Sequence, residues 1–405
     1  MDYGMMGGRK KSMTDGEQRG GGRMDDHARY LRIWRVLQAA RPFLLRFFRF
    51  SCEPIQAEGP ILLVCNHASA RDPILLALAL GKRQAYFVAS EHLFRKGLLS
   101  RALQWLVGII PRCKGDSGVE TARLCLKHLR AGHSICLFAE GEASWDGKSI
   151  PVVPGTGTLA RMMDAALVTY RLEGAYLADP RWAKKPRKGP VRGRVAGIYQ
   201  PAPLKQMTTG QLNALIDRDI GEDAWARQAE NPAPYRSRHL AECLERLLYL
   251  CPKCKRVGTL KSKGDRFFCA CGLETRLTPT GFFSHDAPFP TLAQWDAWQK
   301  EQLRRRNFAP QEREILFRDE GMTLSRIEDA HRQVCLGSGS ILQYADHLEA
   351  VGKILYPDAV QAMAMTRHNV LLFSVGEAYY EVRCQNGANL RKYLDWWTAK
   401  KTGGR

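Results

Sequence analysis

Ile61-Leu62-Leu63-Val64-Cys65-Asn66-His67-Ala68-Ser69-Ala70-Arg71-Asp72-Pro73 carries five apolar residues into a polar turn, and Ile74 to Leu80 continues as a second apolar segment. The first run has the length and composition of a buried strand, and the segment after Pro73 reads as a helix. The same grammar recurs at Ser134 to Ala139, an apolar run that ends in Glu140-Gly141-Glu142-Ala143-Ser144. Strands that pass through polar turns into helices predict an α/β domain with a mostly parallel sheet and flanking helices. Further strands are expected near 85–89, 167–173 and 193–199. Helices are expected near 73–80, 98–107, 117–131 and 155–166, with a closing helix from Thr208 to Arg227. Pro180 to Arg194, crowded with lysine, arginine, proline and glycine, reads as a solvated loop, or, where it faces a membrane, as one that would attract anionic headgroups.

Within the opening turn a histidine stands five residues ahead of an aspartate. A histidine at a strand end can take a proton from an alcohol if a carboxylate holds its other ring nitrogen in the right tautomer. Each residue also has a plainer reading. Asp72 before Pro73 has the makings of a helix N-cap, Asn66 of a turn former, and His67 of a satisfied strand-end histidine. Open α/β sheets bind ligands beyond the carboxyl ends of their strands, so His67 and Glu140 are expected to face one crevice. Gly141 would let backbone approach a ligand closely. The plainer reading of Glu140 is a solvated turn carboxylate.

These blocks resemble those of the glycerolipid acyltransferase family typified by 1-acyl-glycerol-3-phosphate acyltransferases. Asn66 to Asp72 match that family's Asn-His-x4-Asp block in full. Phe138, Glu140, Gly141 and Ser144 match its Phe-Pro-Glu-Gly-Thr-Arg-Ser block, whereas Ala139, Glu142 and Ala143 replace the proline, threonine and arginine. Gly108 to Asp116 is similar to the second block, with Arg112 or Lys114 in the arginine position according to the anchor chosen. Leu167 to Gly174 is a loose fourth. The resemblance covers residues from about 30 to 230. It implies transfer of an acyl group from acyl coenzyme A or acyl carrier protein to the hydroxyl of a lysophospholipid. His67 would be the general base and Asp72 its partner, with Asn66, Arg112, Lys114, Glu140 and Gly141 around the acceptor. A thiolate leaves readily, so such a site needs orientation and oxyanion donors rather than a metal or covalent intermediate. Ala143 supplies no guanidinium for a phosphomonoester, so Arg112, Lys114 or Arg171 must compensate or the acceptor headgroup differs. Cys65 invites a rival reading as nucleophile, but it ends an apolar run, where free cysteine is ordinarily inert.

The chain has 405 residues and a formal charge of +20, from 61 Lys and Arg against 41 Asp and Glu. Nucleic acid, anionic membrane lipids and an acidic acyl carrier protein would all suit such a surface. The motifs select lipid over nucleic acid. Twelve cysteines lie scattered without a secreted disulfide framework, and no signal peptide is evident. No uninterrupted apolar run reaches the roughly eighteen residues of a spanning helix; with the acyltransferase resemblance, the expectation is an enzyme attached peripherally at the cytoplasmic face of a membrane. Residues 1–27, glycine-rich and polar, are expected to be disordered. Residues 28–50 interleave arginine with aromatic and aliphatic residues, as a membrane-surface element does; an amphipathic core helix is the alternative.

Cys251-Pro252-Lys253-Cys254 and Cys269-Ala270-Cys271-Gly272 supply four thiolates in the spacing of a structural zinc site, and residues 245–280 read as a zinc ribbon. Residues 285–310 are expected to form a linker helix. Residues 312–400 break into short apolar segments before a terminal helix, a pattern that resembles a small β-rich, pleckstrin-homology-like domain. Ribbon and barrel together also permit a non-catalytic membrane adaptor as the alternative to an enzyme.

Overall fold

The computed structural model describes residues 27–90, 108–112, 118–305, 315–328, 332–366 and 368–403. The expected disordered N-terminus before residue 27, the helix at 98–107 and Lys114 lie outside the described residues.

Helices α1 (His27–Ala39) and α2 (Arg41–Phe48) lead into β1 (Phe50–Cys52). The next elements are β2 (Ile61–Cys65), α3 (Asp72–Leu80), β3 (Ala85–Ser90) and β4 (Ile109–Arg112). After them come α4 (Val119–Arg130), β5 (Ser134–Phe138), α5 (Gly155–Met162) and β6 (Ala166–Glu173). The seven-stranded sheet, ordered β1-β7-β6-β2-β5-β3-β4, is completed by β7 (Val191–Tyr199). Only β6 and β7 pair antiparallel; the other pairs are parallel. All five residues of β2 are buried, which is why the strand reads as an unbroken apolar run. Its parallel neighbours β5 and β6 put the turns after β2 and β5 on one edge of the sheet.

Residues 28–50 correct the membrane-surface expectation in part. Tyr30 and Trp34 are buried; the Tyr30 hydroxyl donates to the Ala85 carbonyl and Trp34 Nε1 to that of Gly81. Gln38 Nε2 donates to Ala77 O and Arg41 Nε to Leu78 O. The acceptors lie in the last turn of α3, at Gly81 beyond it and at the start of β3, so α1 and the first residue of α2 are docked on the core. The neighbouring α2 does present aromatics: Phe43 is 70% and Phe47 65% exposed. Among the described residues no helix is long and apolar enough to cross a membrane.

Pro180 to Arg194 is also not a solvated loop. Trp182 is fully buried, its Nε1 donating to Tyr176 Oη, and Arg187 is buried as well. Tyr176 belongs to α6 (Ala175–Ala178). After β7 come α7 (Pro201–Gln206), α8 (Thr209–Ile220) and α9 (Ala224–Glu230). The single helix expected over 208–227 is two, because Asp223 turns out of the helix and caps α9 through Trp225 N and Ala226 N. Asn213 and Asp217 of α8 accept the backbone N–H groups of Gly157 and Val152, fastening the segment that follows the Glu140 turn.

Further on, β8 (Leu260–Lys263), β9 (Arg266–Cys269) and β10 (Glu274–Arg276) form a small antiparallel sheet. The expected linker helix is α10 (Leu292–Arg305), and it is no linker: Trp295, Asp296 and Gln299 are fully buried. The last sheet comprises β11 (Phe317–Ile327), β12 (Gln333–Gln343), β13 (Leu348–Ala350), β14 (Lys353–Leu355), β15 (Val360–Thr366), β16 (Val370–Val375) and β17 (Ala378–Cys384). It is wholly antiparallel, ordered β14-β13-β12-β11-β17-β16-β15, and α11 (Arg391–Gly403) follows it and packs on α10 and β15.

Candidate active site

His67 leaves the end of β2 with its ring stacked on Phe138 at the end of β5, centroids 4.4 Å apart. Its Nδ1 lies 2.8 Å from Asp72 Oδ2, and its side chain keeps 23% of its exposure while that of Asp72 keeps none. The aspartate is the first residue of α3, yet it does not cap the helix. Oδ2 also accepts the N–H groups of Ala68 and Ser69, at 2.6 and 2.8 Å, and Oδ1 accepts the Ser69 hydroxyl at 2.7 Å. A sealed carboxylate that receives two backbone donors and a hydroxyl has its position fixed before the imidazole arrives. The N-cap reading of Asp72 therefore gives way to that of an orienting carboxylate.

Glu140 closes the other side of the turn. It is buried, and its two oxygens accept the N–H groups of His67 at 3.3 Å and Ile150 at 3.2 Å. Burial pushes its pKa up to about 8 against the pull of those donors, with the Asp72 charge adding to the rise. Ser144 N donates to His67 O, so the turns after β2 and β5 are tied at two points. Glu140 is thus neither a solvated turn carboxylate nor an open ligand for an acceptor; it is a brace for the His67 backbone.

Asn66 was expected among the groups that touch an acceptor, and the structure corrects this. The residue is buried, its Nδ2 donating to Leu172 O at 3.0 Å and its Oδ1 accepting Leu172 N at 2.7 Å. That side chain stitches the turn to β6. Arg112, at the end of β4, comes to the crevice: a Cβ built on Gly141 would lie 3.9 Å from its Nη1. Gly141 itself has φ +75°, a turn conformation that favours glycine. Arg171 is unavailable as a substitute for the missing arginine, because its guanidinium donates to the carbonyls of Asp219 and Arg218. Cys65 is fully buried and burial drives its thiol well above the ordinary range, which removes the nucleophile reading.

Two groups near the site carried no local signal. Ser69 sits inside the first block at an ordinary-looking position, and only the fold shows its hydroxyl on Asp72. Arg181 donates to the carbonyl of Ala143 at 2.8 Å, pairs with Glu142 and stacks over Trp145 at 3.9 Å. It buttresses the third-block turn from behind.

Cys251, Cys254, Cys269 and Cys271 converge. Their sulfurs lie within 4.8 Å of one another, with Cys251 to Cys271 at 3.7 Å and Cys254 to Cys269 at 3.8 Å. Four sulfurs about 2.3 Å from a tetrahedral ion would be separated by about 3.8 Å, so the donor set fits such a metal. The Arg256 backbone N–H holds the Cys254 thiol down to about 6, in the direction that favours a ligating thiolate.

A parallel-strand α/β domain with a His–Asp pair and a Glu-Gly turn at its carboxyl edge has the form of an acyltransferase domain. The Acyltransferase family model matches residues 48–173, and over this region the chain is similar to 1-acyl-sn-glycerol-3-phosphate acyltransferases. It is 28% identical over 134 residues to a chloroplastic 1-acyl-sn-glycerol-3-phosphate acyltransferase of Arabidopsis thaliana, covering 32% of this chain and 37% of that protein. A second such chloroplastic enzyme, from Brassica napus, is 30% identical over 121 residues, covering 29% and 34%. The chain thus spans about a third of the length of these curated relatives. Among solved structures, the 1-acyl-sn-glycerophosphate acyltransferase of Thermotoga maritima is 19% identical with a TM-score of 0.41, covering 52% of this chain and 84% of that one.

Proposed function

We propose that the chain is a lysophospholipid acyltransferase, with 1-acyl-glycerol-3-phosphate as acceptor and phosphatidic acid as product. The reading rests on one observation, the contact of His67 Nδ1 with a fully sealed Asp72 carboxylate. With Nδ1–H held by Asp72, Nε2 is the basic nitrogen. It takes the proton of the acceptor hydroxyl as the oxygen attacks the thioester carbon. The tetrahedral oxyanion then collapses, the carbon–sulfur bond breaks, and the imidazolium returns the proton to the departing thiolate. Donor candidates are acyl coenzyme A and acyl carrier protein. Arg112, and Lys114 beside it in sequence, supply positive charge for a phosphate.

Ala143 favours a second reading, a lipid acceptor without a phosphomonoester, since Arg181 is spent on Glu142 and Ala143 rather than free to clamp a phosphate. In either case the four-cysteine cluster holds zinc in a structural role, as all four positions are thiolates of the protein. The antiparallel C-terminal sheet with its closing helix is assigned as pleckstrin-homology-like. The exposed Phe43 and Phe47 of α2 support peripheral attachment to a membrane.

Purified protein incubated with a labelled acyl thioester and a panel of lysolipids, with and without a phosphomonoester, tests reaction and acceptor together. His67→Ala is expected to lower turnover by at least about a hundredfold with zinc content unchanged. Wild-type turnover in that variant would remove the assignment.

A further inference from the structure

A groove of about 210 Å³ lies between α2, the start of α3 and the segment from Ala175 to Val191. Of the first block it takes Ser69 and Arg71 into its lining, whereas His67, Asp72, Arg112, Glu140 and Gly141 are not among its lining residues. Arg49, Arg71, Arg187 and Lys188 line it against a single carboxylate, Asp179, which Arg71 already engages at 3.2 Å.

Arg187 is the residue that calls for a ligand. It is 4% exposed, and one amino group donates to Leu240 O at 2.7 Å. Its Nε is buried with no hydrogen-bond partner. Stacking of the guanidinium over Trp182, at 5.1 Å, offsets only part of the cost of a buried cation without a carboxylate of its own. An anion in the groove would supply both the missing acceptor and the missing charge. Phe47 and Phe48 form an apolar wall beside these cations, and Phe47 continues onto the surface. Cations beside an exposed aromatic wall match an amphiphile, its phosphate inside and its glycerol and chains outside.

We propose that this groove binds the phosphate of an anionic glycerophospholipid and so seats the domain on a membrane, separately from the acceptor crevice. Sedimentation of the full chain with vesicles tests it, comparing phosphatidylcholine alone with phosphatidylcholine containing phosphatidylglycerol. Lys188→Gln removes an exposed groove cation, and Arg187→Gln removes the buried one. Arg192→Gln, at an exposed arginine paired with Glu53, makes the same charge change outside the groove. The two groove variants are expected to lose about tenfold in affinity for the anionic vesicles, one charged hydrogen bond each, and Arg192→Gln to stay within about twofold. Equal losses in Lys188→Gln and Arg192→Gln, or none in Lys188→Gln, would overturn the site, whatever the folding of Arg187→Gln. Inorganic phosphate at millimolar concentration should leave vesicle binding intact; full displacement would assign the groove to free phosphate instead. His67→Ala is expected to bind vesicles as the wild type does, so failure of the transfer reading and of this one can be told apart.

Discussion

At the scale of single residues, the site depends on a carboxylate with four donors on it. Asp72→Asn keeps the shape but offers one acceptor oxygen and sets an amide donor against the N–H groups of Ala68, Ser69 or His67. Turnover is expected to fall by about a hundredfold or more, and stability by about 1–3 kcal/mol, checked by steady-state kinetics and urea titration. Glu140 gives a pH signature. Its folded pKa of about 8 stands above its ordinary 4.5, so the folded state binds more protons between those values. The stabilisation is present in full below pH 4.5 and is lost as pH rises through about 8. Glu140→Gln should flatten that decline, and urea midpoints at pH 5 and pH 8 measure it; an unchanged slope would remove the buried-acid account. The positions of His67, Asp72 and Glu140 at one sheet edge were legible in the sequence because spacing and strand-end position specify them, but the bracing contacts of Glu140 with His67 N and Ile150 N were not. Arg181 was not, since it meets Ala143 from 38 residues downstream, and only the fold brings the two together. The role of Asn66 was misread for the same reason: its partner is Leu172, across the sheet.

At the scale of elements, legibility followed burial. Strands β2, β5 and β6, covered on both faces, announce themselves as apolar runs, whereas β1 and β4 are three or four residues at the sheet edges and carry no such run. The aromatic and charged mixture of α1 is ambiguous without its neighbours. Trp34 and Tyr30 have polar tips that fit an interface as well as they fit the carbonyls of Gly81 and Ala85, and the fold chose the carbonyls. The small sheet of β8, β9 and β10 is a different kind of element, for three short strands bury too little to fold alone. Cys254→Ser, or a strong chelator, is therefore expected to lower zinc content and melting temperature together, read by metal analysis and calorimetry. A folded, zinc-free, inactive protein would instead give the metal a part in the chemistry.

At the scale of the whole molecule, the C-terminal sheet looks like an appendage in sequence and is not one in space. Arg391 at the start of α11 reaches the third-block turn, its guanidinium 5.0 Å from the Trp145 ring that Arg181 also covers. Asp296 of α10, fully buried, pairs with Arg391 at 2.8 Å and with Lys300 at 2.7 Å. Tyr249, two residues ahead of Cys251, donates to Asp395 of α11 at 3.0 Å, and Gln299 joins Asp296 to the Leu247 carbonyl. The third-block turn, the segment at Leu247 to Tyr249, α10 and α11 are thus joined through one buried polar cluster. Without Arg391 the buried Asp296 keeps only Lys300 and Gln299 as partners, so Arg391→Met is expected to cost about 1–3 kcal/mol. The same change should slow transfer through Trp145, even at temperatures where the variant is fully folded. A double-mutant cycle with Trp145→Phe separates these effects, with a coupling of at least about 0.5 kcal/mol in transfer rate expected for a direct contact. Additive losses, or full turnover in folded Arg391→Met, would mean that the terminal module only rests against the acyltransferase domain and does not hold its turn in place.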